Sequence, residues 1–191
     1  MTAIFLSIIT AFIITFLVMP VIIKFSRNKT KMMDTPGRRK IHKKVTPSLG
    51  GIGIFIGLVI ALTIWLPFEA FQQYKFVLVG MLILFLIGLR DDIVPLKASY
   101  KLLGQLVAAA MIVYLAGIKL NSLYGLFGIE ELNPTVSQIL SIFTIIVITN
   151  SFNLIDGLDG LAGTIATIAL TTFGIWFYLI GDKWTSILAF S

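Results

Sequence analysis

The stretch that organises this chain is NSFNLIDGLDGLAG, residues 150–163, which lies between two long apolar runs. Four polar residues recur in it at a step of three: Asn150, Asn153, Asp156 and Asp159. On a continuous α-helix that step drifts by about 60° each time, so the first and last of these side chains would lie on opposite faces. Glycines recur at the same step, and they allow the backbone to tighten or break so that the polar side chains converge.

The side chains of this stretch suit a hard cation. Two amides and two carboxylates supply oxygen ligands of the kind that Mg²⁺ accepts, and the neighbouring glycines would let a phosphate approach closely. The alternative interpretation is a polar helix cap and turn between two membrane helices, which is the more usual origin of an isolated motif of this type. Four polar groups at one membrane boundary favour a site instead.

The composition of the chain is that of a membrane protein. Of its 191 residues 58% are hydrophobic and 13% are charged, and the mean hydropathy is +0.99, far from the values of soluble proteins. Six runs contain no Asp, Glu, Lys, Arg or His: 2–23, 46–68, 76–89, 102–118, 132–155 and 160–181. Four of these have 22 or more residues, enough to span roughly 30 Å of hydrocarbon. We expect an all-α polytopic integral membrane protein.

The runs predict about six complete transmembrane helices plus the start of a seventh, all in a single transmembrane domain over 1–191. The eight residues after Lys183 cannot span a bilayer, so we expect the sequence to be a C-terminally truncated form of a longer protein. The run 76–89 would cover only about 21 Å as a helix, so its helix must recruit residues 72–75. We also expect an outer turn over 67–73, and Pro95 in the first turn of the fourth helix.

The basic residues indicate the orientation. Twelve of the fifteen Lys and Arg residues lie in 24–44 and 90–101, and three lie on the other side of the predicted membrane. The positive-inside rule then places the loops at about 24–47, 90–100 and 150–160 in the cytoplasm and the N-terminus outside. The same pattern accounts for the net charge of +6, so we expect no nucleic acid partner. There is no cysteine from which to infer the redox compartment.

Two of these loops hold further candidate residues. In the first, Lys40 and His42, the only histidine, lie where a negatively charged nucleotide could be bound, although a basic cluster at this place can equally bind anionic lipid. In the second, Asp91 and Asp92 are adjacent carboxylates at a membrane boundary, which is costly unless they are paired or bind a metal. A capped, charged turn beside a snorkelling Lys101 is the alternative there.

Three motifs together resemble one family. They are DxPxxRKxH at 34–42 with PxxGG at 47–51, the pair at 91–92 with a lysine ten residues later, and NxxNxxDGxDGL at 150–161. In this order and topology they resemble the polyprenyl-phosphate N-acetylhexosamine-1-phosphate transferases, in particular the undecaprenyl-phosphate GlcNAc-1-phosphate transferases, with phospho-MurNAc-pentapeptide transferase as a more distant relative. Some members start the synthesis of lipopolysaccharide O-antigen or of teichoic acid.

The resemblance implies transfer of a sugar-1-phosphate from a UDP-N-acetylhexosamine to undecaprenyl phosphate, with release of UMP. Mg²⁺, or Mn²⁺ in its place, would bridge the pyrophosphate, with Asp159 as its main ligand and the side chains of Asn153, Asp156 and Asp92 as direct or indirect partners. The resemblance suggests Asp91 as the group that orients or deprotonates the lipid phosphate.

The remaining implied contacts are with the substrates. Lys101 would hold the lipid phosphate, Lys40 and His42 would contact the nucleotide, and Asn150 would complete the substrate site. The implied location is the bacterial plasma membrane, with the site facing the cytoplasm, and a homodimer is left open. Two other interpretations are a cation-dependent membrane transporter and an inactive lipid-binding fragment. The acids of the candidate motifs are all predicted on one face, with none inside an apolar run, and this counts against transport.

Overall fold

Seven α-helices follow one another in the computed structural model, which describes residues 2–27, 33–34, 46–47, 49–156 and 160–191. The helices are α1 (Thr2–Arg27), α2 (Gly50–Trp65), α3 (Phe68–Ile93), α4 (Ala98–Ala110), α5 (Pro134–Ile155), α6 (Leu161–Leu179) and α7 (Lys183–Phe190). A π-helical turn, Met111–Leu115, directly continues α4, and a short 3₁₀ turn, Leu126–Gly128, lies in the connection to α5. The predicted all-α architecture, with six helices and a short seventh, is confirmed.

Four of the described helical segments are long and apolar enough to cross a membrane. They are Thr2–Ser26, Ala98–Leu115, Pro134–Ile155 and Leu161–Leu179, and Gly50–Trp65 is a shorter apolar helix. Each of the four corresponds to one of the charge-free runs in the sequence. The predicted helices are therefore confirmed for these four runs, and their length and composition suit a membrane span.

Two predicted boundaries are wrong. The outer turn expected over 67–73 is shorter than predicted, because α3 already begins at Phe68. Glu69 lies in the first turn of this helix, where the helix dipole favours a carboxylate. The 26-residue helix includes the recruited residues 72–75. Pro95 lies outside α4, since the carboxylate of Asp91 accepts a hydrogen bond from the backbone N–H of Leu96 (2.8 Å) and Lys97 has extended backbone angles. The helix therefore begins at Ala98.

The first of two compact units comprises residues 1–71, 92–94 and 155–191. In it, α1 packs closely on α2 through small and hydroxyl side chains. The hydroxyl of Thr15 donates to the carbonyl of Gly53 (3.2 Å), and the indole N–H of Trp65 donates to the hydroxyl of Thr10 (3.0 Å). A Cβ on Gly57 would lie 2.7 Å from the carbonyl oxygen of Ala11, so only glycine permits this approach.

The same unit contains the α6–α7 pair. The hydroxyl of Ser186, which is fully buried, donates to the carbonyl of Gly174 (2.9 Å). A Cβ on Gly174 would lie 2.6 Å from the ring of Phe190, so a second glycine allows a second close contact. Small residues thus bring the helices of this unit together.

In the first loop the backbone of β1 (Met33–Asp34) pairs antiparallel with β2 (Thr46–Pro47).

The second unit comprises residues 72–91 and 95–154, and so contains most of α3, α4 and most of α5. A Cβ on Gly104 of α4 would lie 1.9 Å from the side chain of Ile87 of α3, so these helices also pack at a glycine. The segment between α4 and α5 contains an antiparallel bridge between Ser122 and Glu131. Our prediction of one transmembrane domain over 1–191 stays a prediction.

Candidate active site

The organising stretch contains the predicted break in the helix. Helix α5 ends at Ile155 and α6 begins at Leu161. Gly160, just before α6, has φ of +75°, a conformation that glycine adopts without steric cost. Asn150 and Asn153 lie in the last two turns of α5 and Asp156 lies in the turn that follows, whereas Asp159 lies outside the described residues.

An ion pair joins the end of α3 to the start of α4. The ammonium of Lys101 lies 2.5 Å from the Oδ2 atom of Asp91, and both side chains are partly exposed, at 30% and 26%. The other carboxylate oxygen of Asp91 accepts the hydrogen bond from Leu96. The structure thus brings together two residues that the sequence placed in different roles.

The electrostatics of Asp91 follow from these contacts. Partial burial is the largest single influence and would raise the pKa of Asp91. The hydrogen bond from Leu96 and the ammonium of Lys101 together outweigh it, so the pKa lies below the ordinary value of 3.8. Asp91 is therefore a carboxylate at neutral pH and a weak base.

A second polar contact joins α4 to α5. One amide N–H of Asn150 donates to the side-chain oxygen of Gln105 (2.9 Å), and the other donates to the backbone carbonyl of Ile146 (2.8 Å). The Nε2 atom of Gln105 lies 3.4 Å from the Oδ1 atom of Asn150. Both amide hydrogens of Asn150 are therefore used within the protein, and its oxygen keeps capacity to accept a further bond.

Gln105 was missed at the sequence level. It is 8% exposed and lies on α4 one helical turn after Lys101. The signal that could have identified it is its position as the only amide in the apolar run 102–118, because a polar side chain inside a membrane segment usually has a partner. α4 thus contacts two predicted site residues, Asp91 through Lys101 and Asn150 through Gln105.

The other predicted residues are less completely placed. Asp92, Asn153 and Asp156 are exposed. Lys40 and His42 lie outside the described residues, so their predicted contacts stay predictions. In the part of the chain that the structure describes, no group of three or more His, Cys, Asp or Glu side chains lies close enough to hold a metal ion. The donor chemistry of the exposed carboxylates and amide nevertheless suits a hard cation.

Comparison with known proteins assigns most of the chain to a family that agrees with the one its motifs resemble. A model of glycosyl transferase family 4 matches residues 74–191. This range contains Asp91, Lys101, Gln105 and Asn150, together with the helices that carry them.

Individual relatives agree with the family model. A probable undecaprenyl-phosphate N-acetylglucosaminyl 1-phosphate transferase of Bacillus subtilis (strain 168) is 35% identical over 121 residues, which is 61% of this chain and 33% of the relative. An undecaprenyl-phosphate alpha-N-acetylglucosaminyl 1-phosphate transferase of Thermotoga maritima is 33% identical over 90 residues, 47% of this chain and 27% of the relative.

A phospho-N-acetylmuramoyl-pentapeptide-transferase of Lactiplantibacillus plantarum is 31% identical over 120 residues, 56% of this chain and 37% of the relative. The matches therefore span about a third of the length of these curated relatives. The family model nevertheless covers well over half of the present sequence. The apolar helices and this match together identify a membrane protein, and the chain belongs to glycosyl transferase family 4.

Proposed function

We propose that the protein containing this chain transfers a sugar-1-phosphate, GlcNAc-1-phosphate in the first instance, from a UDP-sugar to undecaprenyl phosphate and releases UMP. The proposed place is the cytoplasmic face of the bacterial plasma membrane. The observation that carries the proposal is the ion pair of Asp91 and Lys101 at the boundary between α3 and α4. The relatives support the proposal, because two are named as undecaprenyl-phosphate N-acetylglucosaminyl 1-phosphate transferases and a third as a phospho-N-acetylmuramoyl-pentapeptide-transferase.

The proposed reaction exchanges one phosphorus–oxygen bond for another. An oxygen of the lipid phosphate attacks the phosphorus atom that carries the sugar, and the bond from that phosphorus to the oxygen of UMP breaks with its electron pair. The second pKa of a phosphate monoester is about 6, so the attacking group is largely ionised at neutral pH without help from a base. Positioning and charge neutralisation are then the main tasks of the protein.

Lys101 is the proposed binding group for the lipid phosphate. Its ammonium lies at a helix boundary, where the headgroup of a lipid would lie, and it is 30% exposed. The carboxylate of Asp91 holds this ammonium in place. The lowered pKa of Asp91 makes it a poor proton acceptor, which favours a positioning role over proton abstraction.

The remaining charges of the reaction need further neutralisation. The residues that would hold Mg²⁺ are Asp159, Asn153, Asp156 and Asp92, and the ion would supply stabilisation of the negative charge on the pyrophosphate. Lys40 and His42 are the proposed contacts of the nucleotide, and Asn150 offers an acceptor oxygen to the substrate site.

Exchange of labelled UMP into UDP-GlcNAc tests the proposal directly. The intact protein is placed in membranes that contain undecaprenyl phosphate and Mg²⁺, and the same membranes without the lipid phosphate serve as the control. Exchange that requires the lipid phosphate is the expected result. A folded protein that catalyses no exchange with UDP-GlcNAc or with other UDP-N-acetylhexosamines would contradict the proposed activity.

A further inference from the structure

We propose that Gln105 is a positioning residue of the transferase site, which acts by fixing the side chain of Asn150. This inference rests on the function proposed above and adds a residue that none of the three motifs contains. It starts from the only amide in the apolar run 102–118, whose side chain is 8% exposed.

A buried amide in a membrane helix needs hydrogen-bond partners. Neither water nor lipid can satisfy a side chain at this exposure, so an unpaired Gln105 would be unfavourable. Its oxygen accepts a hydrogen bond from Asn150 at 2.9 Å, and its nitrogen lies within hydrogen-bonding distance of the same residue at 3.4 Å. The amide group of Gln105 is thus committed to one side chain.

Asn150 is exposed on α5, although its amide is held at two points. Gln105 binds one amide hydrogen and the carbonyl of Ile146 binds the other. The carbonyl of Ile146 can only accept, so that contact selects which end of the Asn150 amide is nitrogen, and the contact with Gln105 restrains the rotation of the same side chain. Gln105 therefore holds the amide oxygen of Asn150 in one place, where it keeps capacity to accept a further hydrogen bond.

Helix α4 also contacts Asp91, through Lys101. Lys101 and Gln105 are four residues apart and so lie on one face of α4. One contacts Asp91 and the other contacts Asn150. Ala108 and Ala109, the next residues of α4 that are buried, carry no polar side chain. Gln105 is the second of two polar anchors that α4 supplies to the candidate site.

A double-mutant cycle tests the role of Gln105. Gln105→Met keeps the length of the side chain and removes both hydrogen bonds, and Asn150→Ala removes the partner. We expect Gln105→Met to lower the rate of UMP exchange by roughly 10- to 100-fold, as is common when a positioning contact is lost. In the Asn150→Ala background the same substitution should cause little further loss, because its target is absent.

A conservative variant separates positioning from packing. Gln105→Glu keeps an oxygen that can accept the hydrogen bond from Asn150, so it should retain more activity than Gln105→Met. The melting temperature of each variant is measured in parallel, and the cycle for the melting temperature should also be non-additive because the two residues are in contact.

Each outcome has one meaning. Additive losses of activity in an active protein would overturn the role of Gln105 and leave the proposed function standing. Additive changes in melting temperature would contradict the contact itself. A folded wild-type protein without exchange activity would overturn the proposed function, and with it the role that Gln105 has in it.

Discussion

The α1–α2 pair and the helices of the second unit associate by different kinds of contact. The α1–α2 pair packs at Gly57 and uses the hydroxyls of Thr10 and Thr15, which are neutral groups. The helices of the second unit also pack at glycines, but they carry in addition an ion pair and an amide pair. Small residues suffice for close packing of helices in a membrane protein. Packing therefore does not require the ion pair and the amide pair of α4. Such additional polar contacts are expected at a functional site.

The largest effect is expected from Asp91→Asn. The variant keeps an oxygen for the Leu96 hydrogen bond and loses the charge that holds Lys101. We expect UMP exchange to fall roughly 100-fold, in line with the loss of one electrostatic group from a preorganised site. The free energy of unfolding should change by less than about 1 kcal/mol, because the ion pair is partly exposed.

The matched control is Glu69→Gln, which removes a carboxylate from the first turn of the same helix. It should retain full exchange activity. If Asp91→Asn unfolded the protein, or if it kept full activity, the ion pair would be a packing device like the contacts of α1 and α2.

Gly57→Ala tests the other side of the comparison. The added Cβ would lie 2.2 Å from the hydroxyl of Thr15 and 2.7 Å from the carbonyl oxygen of Ala11, so the helices must separate. We expect the free energy of unfolding to fall by roughly 1–3 kcal/mol, measured as the midpoint of thermal unfolding in detergent. Activity per folded molecule should not change.

Gly88→Ala is the control for stability, because a Cβ at that position meets no atom within 4 Å. Alanine is also the better helix former, so stability should stay the same or rise. Equal destabilisation by both substitutions would show that the α1–α2 contact is not specific to Gly57.

Ser141→Ala sharpens the comparison within the second unit. Ser141 is 4% exposed. Its hydroxyl accepts a hydrogen bond from the backbone N–H of Leu120 (2.8 Å) and donates one to the carbonyl of Ser137 (2.6 Å). Its loss leaves the N–H of Leu120 without that partner in a part-buried place, which costs roughly 1 kcal/mol. We expect a lower melting temperature with unchanged exchange per folded molecule. A selective loss of activity would show that polar contacts of α5 outside the candidate site also serve the reaction.

The smallest effect is a dependence of stability on pH. The pKa of Asp91 is lower in the folded protein than its ordinary value of 3.8, so the folded state binds fewer protons at this group. Its contribution is present above pH 3.8 and is lost as the pH falls below that value through the lower folded pKa. The difference in melting temperature between the wild type and Asp91→Asn should shrink below pH 3.8. A difference that instead disappeared between pH 5 and 8 would contradict the assignment to Asp91.

Much of the architecture could be predicted from where charges are absent. The apolar runs give the helices because a membrane segment must satisfy its own backbone, and the glycines after Asp156 correctly indicated the break before α6. The start of α4 was missed, because the hydrogen bond from Leu96 to Asp91 keeps the chain extended past Pro95. That contact involves the side chain of a residue five positions earlier in the chain. Helix propensities describe single residues, so they do not account for such a contact.

The candidate site was predictable only where its residues form motifs. Asp91, Lys101 and Asn150 were proposed as site residues from spacing and resemblance, but the pairing of Asp91 with Lys101 was not foreseen. Gln105 escaped because it stands alone in an apolar run and its partner is 45 residues away. Contacts between distant helices depend on how the helices pack, and a single sequence contains no direct signal of that.

The binding role of Lys101 can be tested by the kinetics of Lys101→Ala, measured with undecaprenyl phosphate and UDP-GlcNAc varied separately. If Lys101 binds the lipid phosphate, the apparent KM for undecaprenyl phosphate should rise much more than the KM for UDP-GlcNAc, with the melting temperature nearly unchanged. Lys97→Ala, on the residue that precedes α4, is the control for loss of positive charge. Equal changes in both KM values, or none, would contradict the central claim that the polar contacts of α4 serve the transfer reaction.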